Sequence, residues 1–148
     1  MERDEYVETV KGVLEGATGS AKGKLVVAIP LIPTVTKAIT LEIFVDQDGE
    51  GFLDVQLSLD GPDLHVLNQN ISDCATLFET KVTQDGLEPP LPLMDSFNEK
   101  FSVHDALTDC AGEWISTVWK QIDSSDLKTP VFVRSHDGYG TNLPIRLK

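Results

Sequence analysis

A chain of 148 residues with 24 acidic and only 12 basic side chains carries a net charge of −12, and a field of that sign repels phosphates, which argues against a nucleic-acid partner. One domain of this length buries about 70% of the surface its unfolded chain exposes, so no disulfide or metal staple is needed; Cys74 and Cys110 have no CxxC or ligand-like spacing and read as reduced, buried thiols. No apolar run approaches the roughly 18 residues of a membrane span, and the charged start Met1-Glu2-Arg3-Asp4-Glu5 is unlike a secretory leader, so the expectation is a single cytoplasmic domain over 1–148 with no membrane partner.

Tyr6, Val7, Val10, Val13 and Leu14 recur at helical spacing and predict a helix over 2–15, with Glu2, Asp4 and Glu5 at its favourable end. Gly16, Gly19 and Gly23 predict a mobile connection after it. The two-sided apolar run Leu25-Val26-Val27-Ala28-Ile29 then predicts a strand within 24–32, kept to an edge by Pro30 and Pro33.

The clearest pattern follows. Ile39, Leu41, Ile43 and Val45 alternate with polar or aromatic residues, as do Leu53, Val55, Leu57 and Leu59, and Gln47-Asp48-Gly49-Glu50-Gly51 lies between them. This predicts a β-hairpin. A three-residue loop would set Glu42 against Asp54, a like-charge pair, whereas a five-residue loop ending at Gly51 avoids it and is favoured.

Beyond Gly61-Pro62-Asp63, His65-Val66-Leu67 reads as a short extended piece. Ser72 reads as the cap of a helix through Cys74, Ala75, Leu77, Phe78 and Val82. Gly86, Pro89, Pro90 and Pro92 make 84–101 irregular, with Leu87, Leu91, Leu93 and Met94 to pack over an open end of the core. Ser102 and Asp105 suggest a capping box opening the main core helix, about 103–122, whose apolar face includes Trp114 and Trp119. Two strands, 130–136 and 143–147, surround Asp137-Gly138 and close the chain. The fold expected is α+β: a mostly antiparallel sheet of five or six strands with one long core helix and an N-terminal helix.

Acidity is local. Between Lys37 and Lys81 stand nine carboxylates and no base, while residues 1–37 balance five acids against five bases. Within that stretch Asp46-Gln47-Asp48-Gly49-Glu50 supplies alternating oxygens like an EF-hand loop, but Leu57 stands where a bidentate Glu is needed and the flanks alternate as strands, so turn chemistry is the simpler reading. Ser135-His136-Asp137 has the residue types of a hydrolase triad, yet neighbours on a strand point to opposite faces. No phosphate-cradling glycine motif is present. Accordingly no residue is assigned a catalytic or metal-binding role, and no cofactor is expected. What remains is the outer face of the hairpin, where Glu42, Phe44, Asp46, Phe52, Asp54 and Gln56 form a candidate docking surface for a basic protein partner.

In size and charge the chain resembles the bacterial immunity proteins that neutralise cationic nuclease toxins with carboxylates. That resemblance implies a non-enzymatic acidic inhibitor and assigns no particular residue. The order helix, three strands, helix, two strands is similar to the dimeric chaperones of bacterial secretion systems, although their terminal helix has no counterpart after Arg146-Leu147-Lys148. A third expectation, from a different class, is a small enzyme with a pocket near His104, His136 and Tyr139.

Overall fold

A computed structural model of the chain describes residues 1–45, 52–94 and 100–148. Helix α1, Arg3–Gly16, buries Tyr6, Val10 and Leu14, four residues apart on one stripe, and carries Asp4 and Glu5 in its first turn. The next segment departs from expectation. Thr18–Ala28 is a second helix, α2, where a glycine connection and a strand are predicted, and Ile29–Leu31 forms a 3-10 turn containing Pro30. Ala21, Leu25 and Ala28 form its buried stripe, while Gly19, Gly23, Val26 and Val27 are exposed. A short apolar run does not distinguish a buried strand from a helix, and packing of this stripe outweighs a propensity penalty of about 1 kcal/mol per glycine.

The hairpin forms as expected. Strands β1, Ala38–Val45, and β2, Leu53–Asp60, are antiparallel in a register from Ala38 opposite Asp60 to Val45 opposite Leu53. This is the five-residue-loop register, with Glu42 facing Gln56 and not Asp54. The connecting residues 46–51, including the calcium-like stretch and Asp46, lie outside the described residues.

Two further expectations are corrected between Gly61 and Thr83. His65–Leu67 belongs to a short helix, α3 (Leu64–Gln69), capped by Asp63 Oδ1, which accepts from the Val66 N–H at 3.3 Å. The helix expected after Ser72 is only a 3-10 turn, Ser72–Cys74, followed by strands β3 (Thr76–Glu79) and β4 (Lys81–Thr83). The cause is the otherwise open edge of β2, whose backbone groups require partners. β3 supplies them along residues 54–56, Ala75 O accepts from Leu57 N at 2.7 Å, and the Asn68 side chain takes the place of a strand at Leu59. There Asn68 Oδ1 accepts from Leu59 N at 2.9 Å while its Nδ2 donates to Leu59 O at 3.0 Å.

Within the expected irregular region, β5 (Gly86–Glu88) pairs with β4 in a two-stranded ribbon. Leu87, Leu91 and Met94 reach the core as expected, whereas Leu93 is exposed. Helix α4, Val103–Lys120, starts where expected, with Ser102 Oγ accepting from Asp105 N at 3.2 Å. The Asp105 carboxylate does not reach back as in a capping box but accepts from Gly140 N at 2.8 Å. Both tryptophans are core residues, and Trp114 Nε1 donates to Thr18 Oγ1 at 3.0 Å.

Strands β6 (Val131–Ser135) and β7 (Ile145–Arg146) complete a five-stranded sheet in the order β3-β2-β1-β6-β7, in which only β1 and β6 run parallel. The α+β architecture expected from the pattern is therefore the observed one. α4 packs on β1 and β6, α1 packs on α4, and α2 packs on α4 and β3, so these three helices gather on one face of the sheet. Asp109 ties the β6–β7 connection to α4: its carboxylate accepts from Thr141 N at 2.7 Å, Thr141 Oγ1 at 2.8 Å and Asn142 N at 3.3 Å.

Gly140 has φ +97°, and a Cβ there would stand 3.0 Å from Thr108 Cγ2. Gly140→Ala is expected to lower stability by about 1–3 kcal/mol in urea denaturation. Gly23, in exposed helix with open space around it, is expected to gain about 0.5–1 kcal/mol on substitution by Ala.

Candidate functional site

Alternation along β1 and β2 divides their side chains cleanly. Ile39, Leu41, Ile43, Leu53, Val55, Leu57 and Leu59 are at most 3% exposed on the helix side. Even-numbered neighbours point to the other face, where Glu42, Phe44, Asp54, Gln56 and Ser58 keep partial exposure. Strand β6 joins in parallel register, placing Phe132 beside Thr40 and Arg134 beside Glu42; β7 places Arg146 beside Phe132.

The registers lay this face out as a grid. One row runs Ser58, Thr40, Phe132, Arg146; the next runs Thr76, Gln56, Glu42, Arg134; the third runs Glu79, Asp54, Phe44 and then His136. Side-chain contacts follow the grid. Thr76 Oγ1 donates to Gln56 Oε1 at 3.1 Å, the Phe44 and His136 rings lie 4.4 Å apart, and Arg146 stands over Phe132. Carboxylates thus occupy one corner, Asp54 and Glu79, and guanidiniums the opposite corner.

The face is less uniformly acidic than expected from sequence. Glu42 Oε1 lies 3.0 Å from His136 Nδ1, so its carboxylate is engaged within the chain by the residue that follows β6. Asp54 Oδ1 accepts from Thr80 N at 3.3 Å, and burial, with the smaller like-charge influence of Glu79, raises its carboxyl above the ordinary value of 3.8 against the lowering effect of that hydrogen bond. Phe52 is partly buried and packs against the core cluster, which leaves Phe44 as the aromatic of the β1–β2 half. Of the six residues expected to form the docking surface, Glu42, Phe44, Asp54 and Gln56 share this face. Sequence reasoning missed Phe132, Arg134 and Arg146, and it considered His136 only for a histidine pocket. Their alternation in 130–136 and 143–147 is visible, but which strand they lie beside is a long-range property.

The histidine-centred alternative does not assemble at one point. His136 lies on the outer face beside Glu42 and Phe44, whereas His104 on α4 stacks against Tyr139 with centroids 4.4 Å apart. In Ser135-His136-Asp137, Ser135 Oγ is buried without a hydrogen-bond partner and Asp137 Oδ2 accepts from Val45 N at 3.2 Å. Concave sites lie elsewhere, for example a cleft of about 350 Å³ between α1 and α4 lined by Lys11, Glu15, Cys110, Glu113 and Trp114. Burial pushes the Cys110 thiol up to about 11, so it is protonated and a poor nucleophile at neutral pH. Cys74 and Cys110 are free and buried, as expected. Among the described residues no group of three or more His, Cys, Asp or Glu side chains is placed to hold a metal ion, and no helix is long and apolar enough to cross a membrane.

No curated protein and no solved structure matches the chain. A family model described as "Family of unknown function (DUF6389)" matches residues 1–148.

Because the folded state raises the Asp54 carboxyl above its ordinary value, protonation there stabilises the fold at low pH, and that contribution is lost as pH rises through the folded-state value. Asn at this position retains an acceptor for Thr80 N and never ionises. Urea midpoints should therefore show Asp54→Asn gaining on the wild type as pH rises from below the ordinary carboxyl value of 3.8 towards neutral; a gain that is independent of pH would contradict the assignment.

Proposed function

We propose a binding function for this chain, which belongs to the DUF6389 family of unknown function along its whole length: a non-enzymatic, cytoplasmic, acidic protein-binding domain that engages a basic protein partner through the outer face of its sheet. The observation that carries this reading is the sheet face left clear of α1, α2 and α4, on which Phe44, Gln56 and the Asp54–Glu79 corner are neighbours. An aromatic among carboxylates suits recognition of a cationic surface. The charges speed encounter and set orientation, and the ring supplies area to bury.

A small acidic inhibitor is the concrete form this reading takes. A chain at −12 attracts a cationic protein over a distance comparable to the Debye length, about 8 Å at physiological salt, and the final contact then depends on a few buried groups. Phe44 and Asp54 are those groups. Glu42, already engaged by His136, acts mainly to hold the β1–β6 side in place.

Affinity capture from the source cell tests this. The wild-type chain should retain a protein of high isoelectric point, and Phe44→Ala and Asp54→Lys should each weaken retention about tenfold or more while leaving the fold's circular dichroism unchanged. Raising salt should mainly slow association. Capture of no basic protein, or equal capture by both variants, contradicts the proposal.

A further inference from the structure

Two of the chain's three arginines stand over one aromatic ring on the open sheet face: Arg134 Cζ is 4.9 Å from the Phe132 ring centroid and Arg146 Cζ is 5.7 Å from it. Both are exposed. In a chain with twice as many acids as bases, neither has an Asp or Glu carboxylate within ion-pair distance among the described residues; the acid–base side-chain contacts there are Arg3 with Asp4 and His136 with Glu42. Glu42 is the register neighbour of Arg134 and still directs its carboxylate to His136. Arg146 Nε donates to the main-chain oxygen of Lys148, the last residue of the sequence, at 3.0 Å, which restrains that guanidinium through Nε alone. Two guanidiniums therefore flank one aromatic ring, and neither is paired with an Asp or Glu side chain among the described residues.

We propose that Phe132, Arg134 and Arg146 form a carboxylate-binding site, and that the segment of the partner which docks on this face carries an Asp or Glu as well as its basic residues. This rests on the binding function above and adds to it: the partner's surface is basic overall but locally of mixed charge. A guanidinium fork matches a carboxylate in bidentate geometry, and stacking on Phe132 pre-orders both forks. A guanidinium fork also accepts phosphate, but the occupant here is a protein segment, whose ordinary anionic side chains are carboxylates.

The grid also sets the spacing. Asp54 and Arg134 are two strands and one two-residue step apart, or about 10 Å across and about 7 Å along, which gives about 12 Å. An extended segment covers that distance in about four residues at about 3.3 Å each. The docking segment therefore places a Lys or Arg four residues from an Asp or Glu.

The full chain, with nitrogen-15 label in its arginines, gives three Nε–Hε signals, and Arg3 on α1 serves as internal control. The probe is the peptide acetyl-Lys-Ala-Thr-Ala-Glu-amide, compared with the same peptide carrying Gln in place of Glu and with inorganic phosphate. The Arg134 and Arg146 signals should shift saturably with the Glu peptide in the millimolar range while Arg3 stays still, and the Gln peptide should bind at least about fivefold more weakly. Arg134→Gln and Arg146→Gln, checked for folding by circular dichroism, should each remove that difference. No shift with the Glu peptide, equal binding of the Gln peptide, or tighter binding of phosphate overturns the assignment. So does a concentration-dependent dimer in sedimentation velocity that Arg134→Glu and Arg146→Glu abolish, because the arginines then serve a second copy. These readouts do not use the captured partner, so they fail independently of the Phe44 and Asp54 variants.

Discussion

The pleat of β1 is the constraint on which the rest of the molecule depends. It is the central strand, paired on one side with β2 and on the other with β6, and its period of two sends Ile39, Leu41 and Ile43 under the helices while Glu42 and Phe44 face outward. A slip of one residue would exchange the two sets and bury Glu42 in an apolar core. Because β2 and β6 take their registers from this strand, the position of every group on the open face follows from it. The acidic corner, the stacked arginines and the His136–Glu42 pair are consequences of that alignment.

The helix side holds the alignment in place. α4 covers β1 and β6 with an apolar face, and two of its carboxylates, Asp105 and Asp109, grip the backbone of the β6–β7 connection. That grip fixes where β7 starts, and so where Arg146 stands beside Phe132. Charge-assisted hydrogen bonds of this kind are stronger than neutral ones. Part of the chain's acidity thus serves internal architecture, and the share free on the surface is smaller than the sequence total suggests.

Where the fold is periodic, the sequence is readable. The alternation of 38–60 predicts both strands and, through the Glu42–Asp54 clash it avoids, their register; the broad apolar stripe of 103–122 predicts α4 and its Ser102 cap. Legibility ends where a tertiary demand decides the local structure. Leu25 to Ile29 are apolar on every side, and only the docking of Ala21, Leu25 and Ala28 makes them helical. Leu77 and Phe78 have helical spacing with Cys74, yet the open edge of β2 recruits them as β3, with a register shift between Val55 and Gln56. The candidate site was legible by halves for the same reason. Glu42, Phe44, Asp54 and Gln56 belong to one hairpin, whereas Phe132, Arg134 and Arg146 join them through a parallel pairing across about 90 residues of chain.

The central claim, that the even-numbered face is open in the free protein and closed by its partner, is tested most directly by thiol accessibility at single cysteines. Cys74 and Cys110 are buried, so a cysteine introduced at Gln56 reports the face with little background. The account predicts that Gln56→Cys reacts rapidly with a maleimide in the free protein and becomes protected when the captured partner is bound, while Leu57→Cys, one residue along on the buried face, is slow in both. A Gln56→Cys thiol that is slow in the free protein, or that stays fast in the complex, would contradict it.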